Sequence, residues 1–138
     1  MKKRVVKIFD KIILLLLGFS GVLYSCYEYG AIADEYEVNG TVMDKTGKPI
    51  QDIRVTGRFK LGEEDTLYTN TEGKFYVKSW GHPYLKLEDI DGEVNGGEFE
   101  TKNLNIEFTD ADLVKKGRGE KTPDIYKKTV NIELETKK

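Results

Sequence analysis

Catalysis by side chains needs groups that attack an electrophile or move a proton, and this chain holds few of them. Beyond residue 25 it has one serine, Ser79, one histidine, His82, and one cysteine, Cys26. A serine nucleophile needs a base within hydrogen-bond reach, itself held by a third group. Ser79 and His82 lie three positions apart at what reads as a strand end, beside Pro83, where nothing brings their side chains together. One histidine and no second thiol leave none of the usual zinc sets. The composition therefore argues against an enzyme and calls for no cofactor.

Carboxylates are plentiful: Glu63, Glu64 and Asp65; Asp89 and Asp91; Glu98 and Glu100. Replacing water around such groups in a mobile loop gains little, so a solvated loop is the first reading, and a carboxylate-based hydrolase is the remotest one. One group has metal-ligand spacing. Asp89, Asp91, Glu93, Asn95 and Glu100 occupy positions 1, 3, 5, 7 and 12 of a twelve-residue loop, the ligand positions of an EF-hand calcium loop. Against that, Val94 stands where the sharp turn wants glycine, and no helical pattern flanks the loop. Tyr68, Tyr76 and Trp80 are the other candidates. Their aromatic faces suit a sugar or a peptide, and equally suit cross-strand pairing on an exposed sheet face.

The N-terminal 25 residues do not belong to a globular domain. Residues 1–11 carry five bases and one acid, and residues 12–24 are uncharged and mostly apolar. A basic start, a short apolar core and a small residue before a cut mark a secretory signal. The rival reading is a membrane-spanning helix. At about 1.5 Å per residue the apolar stretch reaches roughly 20 Å, short of a bilayer core of about 30 Å. Leu23-Tyr24-Ser25-Cys26 resembles a bacterial lipobox, although Tyr24 is bulkier than the usual occupant of its place. The resemblance implies that Cys26 is diacylated, becomes the first residue of the mature protein, and holds it to membrane lipid. It also accounts for a lone cysteine in an exported chain, which has no partner for an internal disulfide.

Cleavage before Cys26 removes five of the 22 bases and one of the 24 acids, leaving 17 against 23, a formal net charge of −6. That balance favours solubility and argues against nucleic acid, which wants a basic face. Residues 26–37 read as a polar, acidic tether of about 33 Å at full extension, with Glu28, Asp34 and Glu35 near the lipid.

From residue 38 the apolar pattern has period two: Val38, Gly40, Val42; Ile53, Val55, Gly57, Phe59, Leu61; Phe75, Val77; Leu85, Leu87; Leu104, Ile106, Phe108; Val130, Ile132, Leu134. Side chains alternate faces along a strand, so each set lines one buried face. Turn residues separate the sets at 46–49, 62–65, 70–73 and 81–83. The pattern predicts seven strands over residues 38–138 and an all-β sandwich. A short helical turn at residues 111–116, with Asp110 as its N-cap, is the one helical expectation. Residues 116–124 read as a charged loop.

Several turn residues have assignable roles. Asp44 can close an Asx turn on its own backbone. Gly47 can take positive φ, and Pro49 presets φ at the start of the next strand. Asn70 and Gly73 repeat that chemistry at a second hairpin. The run from Gly40 through Asp44, Gly47, Pro49 and Ile53 to Val55, with Thr69-Asn70-Thr71-Glu72-Gly73-Lys74-Phe75, resembles the carboxypeptidase-regulatory-like, transthyretin-like (prealbumin-like) domains. Those domains serve as scaffolds, stalks or docking modules, so the resemblance implies a non-enzyme. Asp91-Gly92-Glu93, Asn95-Gly96-Gly97-Glu98-Phe99 and Phe108-Thr109-Asp110-Ala111-Asp112-Leu113, behind a lipobox, are similar to the radical SAM-associated lipoproteins of Bacteroidetes-type bacteria.

The expectation is thus a signal peptide at 1–25, a lipidated tether at 26–37 and one β-sandwich domain at 38–138. It would act at the outer membrane, on its periplasmic or outer face, as a non-catalytic binding or scaffold module for a protein or glycan partner. The alternative is a substrate or accessory of a radical SAM maturation system.

Overall fold

The computed structural model describes residues 32–60 and 63–138. The signal segment, the lipobox with Cys26 and the start of the tether lie outside the described residues. The described residues form an all-β sandwich, as the period-two pattern predicts. Eight strands are described where seven were expected. One sheet has the order β4-β1-β8-β7 and the other the order β3-β2-β5-β6. Strands β1 (Glu35–Met43), β4 (Lys74–Trp80), β7 (Leu113–Lys115) and β8 (Ile125–Glu133) form the first; β2 (Arg54–Lys60), β3 (Glu63–Tyr68), β5 (Tyr84–Glu88) and β6 (Lys102–Asn105) form the second. Strands β1 and β8 run parallel at the centre of the first sheet, and the other pairings are antiparallel.

Three boundaries differ from the sequence reading. Strand β1 opens at Glu35, so residues 35–37, assigned to the tether, are strand. Their acidic character hid this: Glu35, buried, pairs with Lys78 at 2.8 Å, and Glu37, half-buried, pairs with Lys127 at 2.7 Å. Residues 63–65, read as a turn, begin strand β3. The helical turn expected at 111–116 shrinks to one 3-10 turn at Asp110–Asp112, with Thr109 rather than Asp110 as its N-cap. Residues 113–115 instead pair with β8, because local turn preference is weaker than a sheet edge offering hydrogen bonds.

The core lies between the sheets. Val38, Val42, Ile53, Val55, Val77, Leu85, Leu87 and Leu134 are almost wholly buried there. Each such aliphatic side chain contributes about 1.5–3 kcal/mol by leaving water. Ile50 and Phe99, outside the strands, close the core, while Leu104, Phe108 and Val130 are only partly buried against it.

The recognised turn residues act as corners between sheets. Asp44 accepts hydrogen bonds on Oδ1 from the N–H groups of Thr46 (2.8 Å) and Lys48 (3.0 Å), and the Gly47 N–H donates to the Asp44 carbonyl at 3.0 Å. Pro49 bridges back to Met43. Asn70 Oδ1 accepts from the N–H groups of Glu72 and Lys74 at 3.0 and 2.9 Å. That second turn is not a hairpin within one sheet. It carries the chain from β3 to β4, which belong to different sheets. Gly73 sits there at φ +69°, and a Cβ on it would come within 2.4 Å of the Val42 carbonyl oxygen. Close packing of the two corners therefore demands glycine.

Candidate functional site

Strand β4 alternates strictly. Phe75, Val77 and Ser79 point into the core, while Lys74, Tyr76, Lys78 and Trp80 point out. It ends its sheet, so among the described residues one side of its backbone has no strand partner. Across the sandwich edge lies β3, which ends the other sheet. Between them runs a groove of about 270 Å³. Phe59, Leu67 and Val77 line it as apolar walls, Asp65 and Lys78 supply charge, and Tyr76 and Trp80 form its outer rim. Tyr76 is 50% exposed and Trp80 38%. Desolvation, then the nearby Glu37 carboxylate, pushes the Tyr76 hydroxyl above its usual range. Its ion pair with Glu35 raises Lys78 and holds that ammonium to the sheet.

The four edges of the sandwich are not alike. Strand β7 has three residues and β6 four. Strand β3 carries three consecutive acids, Glu63, Glu64 and Asp65. Short or charged edges resist pairing with another chain. Strand β4 has seven residues, and its outward lysines are each matched by a carboxylate, Lys74 by Glu72 and Lys78 by Glu35.

Ser79 and His82 do not form a pair. Ser79 is 2% exposed and its hydroxyl donates to the Arg58 carbonyl at 3.2 Å. His82 is exposed and packs against Tyr36 with the rings tilted by 33° and their centroids 4.7 Å apart. Tyr36 also packs against Phe108 and Tyr126, at 4.9 and 5.1 Å. Burial, then Asp34, Tyr126 and Asp124, raises the Tyr36 hydroxyl.

The carboxylates with calcium spacing are not grouped in this structure. Among the described residues no three His, Cys, Asp or Glu side chains are grouped to hold a metal ion. The loop uses its oxygens internally instead. Asp89 accepts from the Asp91 N–H at 3.2 Å and from the Phe99 N–H at 2.9 Å. The Asn95 side-chain amide donates to Asp91 and to Asp52. Desolvation, then Asp89, raises the Asp91 carboxyl above its usual range. Glu93 and Glu100 are exposed. Val94 at the sixth position leaves the chain to turn at Asn95, Gly96 and Gly97, all with positive φ, so the oxygens do not converge.

Sequence reasoning singled out Tyr76 and Trp80 of the rim, grouped Tyr68 with them although it pairs with Arg54 in the other sheet, and missed the groove's second wall. The signal was present: Asp65, Leu67 and Thr69 keep a period of two out of the turn read at 62–65.

No protein-family model matches the chain, and no curated protein matches it. Among solved structures, 3-chlorocatechol 1,2-dioxygenase from Rhodococcus opacus shares the fold, with a TM-score of 0.50, 10% identity, and coverage of 76% of this chain and 62% of that one. The chain thus spans less than two thirds of that enzyme's length. A DUF3823 family protein from Parabacteroides merdae aligns with a TM-score of 0.42, 16% identity, and coverage of 74% and 46%. The dioxygenase domain of a dioxygenase carbohydrate-binding protein fusion from a Streptomyces aligns at 0.41, 10% identity, and coverage of 75% and 83%. At 10% identity the likeness to the 3-chlorocatechol 1,2-dioxygenase is one of fold alone.

Proposed function

We propose that this chain is a non-catalytic binding module of the bacterial cell envelope. Diacylated Cys26 tethers it to the outer membrane, and strand β4 is its docking edge. One observation carries the docking assignment. The longest edge of the sandwich is also the one flanked by an apolar groove and rimmed by Tyr76 and Trp80. An extended segment of a partner protein adds to such an edge through main-chain hydrogen bonds, and its alternate side chains fill the groove. Tyrosine and tryptophan are among the residue types that carry most of an interface's energy once a partner covers them. The lipobox residues Leu23, Tyr24, Ser25 and Cys26 support the anchor, and the buried, committed hydroxyl of Ser79 supports the absence of catalysis. The similarity to radical SAM-associated lipoproteins supports a link between this module and such a system.

Two experiments test this reading. Intact mass of the membrane-extracted protein should equal residues 26–138 plus lipid and revert to an unlipidated mass in Cys26→Ala. A full-length, unlipidated mass in the wild type overturns the anchor. A mass beyond the lipidated sequence replaces the binding reading with that of a maturation substrate. For docking, a photo-crosslinking amino acid replaces Trp80, or Val94 as a distant control, in growing cells. A discrete partner captured at 80 and not at 94 supports β4; equal capture at both, or none at 80, rejects it.

A further inference from the structure

The outer face of the β3-β2-β5-β6 sheet is a second surface, separate from the β4 groove. Its outward residues fall in register across the strands. Tyr68, Arg54 and Glu88 make one row. Thr66, Thr56, Lys86 and Asn103 make the next. Tyr84 pairs with Asn105 at the end of the face, near Arg58 and Glu64. No aliphatic side chain stands in these rows. Tyr84, 49% exposed, borders a shallow hollow of about 420 Å³ with Arg58, Lys86, Thr56, Glu64 and His82.

The charges on this face are unbalanced. Glu88 serves two cations, Arg54 at 2.9 Å and Lys86 at 2.7 Å. Among the described residues Arg58 has no ion-pair partner. The face thus holds three cations against Glu64 and Glu88, on a molecule whose mature chain is net −6. Local positive charge against that background selects anionic ligands.

We infer that this hollow is a binding subsite for an acidic saccharide. A sugar ring is apolar on its C–H face and polar around its edge. Tyr84 offers the flat aromatic platform for the first; for the second, Thr56 lines the hollow with its hydroxyl, and Asn105 and Asn103, in register with Tyr84 and Lys86, add amide groups beside it. Arg58 takes the carboxylate or sulfate in a forked pair of hydrogen bonds, which its planar guanidinium favours over a lysine's point charge. A peptide is disfavoured here because the face has no apolar pocket for its side chains. This site does not depend on the β4 docking reading, and its failure would leave that reading intact.

The full-length protein in detergent is titrated calorimetrically with oligogalacturonate, its methyl-esterified form, a chondroitin sulfate oligosaccharide and an uncharged galactan oligosaccharide. At least one acidic oligosaccharide should bind, more weakly as salt rises from about 50 to 200 mM, while the esterified and uncharged ones should not. Tyr84→Ala and Arg58→Ala should each weaken that binding about tenfold or more. Tyr84→Phe, which keeps the ring, should stay within about threefold of wild type. Trp80→Ala should leave it unchanged. Absence of binding by either acidic oligosaccharide at millimolar concentration overturns the inference. So does binding that ignores Tyr84→Ala and Arg58→Ala in proteins that melt as the wild type does.

Discussion

The Phe75 ring lies directly over the α-carbon of Gly40, its partner in the β1–β4 register. A Cβ at position 40 would come within 2.0 Å of that ring. Gly40→Ala should therefore destabilise the fold by about 1–3 kcal/mol through overpacking. Adding Phe75→Leu should recover part of that loss. Urea unfolding of the two single variants and the double variant gives the coupling; strictly additive effects would contradict the contact.

Thr69 is 2% exposed and ties the entry of β2 to the end of β3. Its hydroxyl donates to the Ile50 carbonyl at 2.8 Å and accepts from the Ile53 N–H at 3.0 Å. Thr69→Val keeps the shape and leaves both backbone groups without that partner, which should cost about 1–3 kcal/mol. Thr69→Ser should lose less. Denaturant melts that rank Ser below Val in stability would reject this role.

Glu88 carries the clearest pH signature. Its hydrogen bond to Lys86, then that to Arg54, lowers its carboxyl below the ordinary 4.5. A carboxyl lowered by folding adds stability that is fully present above the ordinary value and is lost as pH falls through the lowered one. Glu88→Gln should therefore lower the melting temperature at pH 7 and converge with wild type in strong acid. Parallel melting curves from pH 7 to pH 2 would refute this.

The loop after β5 should behave as a structural clasp. Calorimetry should register no heat on adding millimolar calcium, and Asp89→Ala should lower stability by about 1 kcal/mol or more, because the Asp91 and Phe99 N–H groups lose their acceptor. Calcium-dependent stabilisation of the wild type, absent from Asp89→Ala, would restore the metal reading.

The order of residues alone was enough to determine the fold class and much of the core. Val38, Val42, Val55, Val77 and Leu87 alternate with polar residues, and a strand puts alternate side chains on one face whatever its neighbours. The corner residues Asp44, Gly47, Asn70 and Gly73 were legible for a similar reason, since their bonds close within a few positions. Whatever depended on which strands meet was decided by the tertiary structure. It made Glu35 part of a strand by placing Lys78 beside it, split the turn at Asn70 between two sheets, and left β4 on an edge. It aligned Tyr84 with Asn105 and set Arg58 beside them. It also kept the carboxylates around Asp89 from converging, although their spacing suited calcium. Spacing along the chain constrains only near neighbours, whereas partners tens of residues apart are chosen by how two sheets bury one shared core.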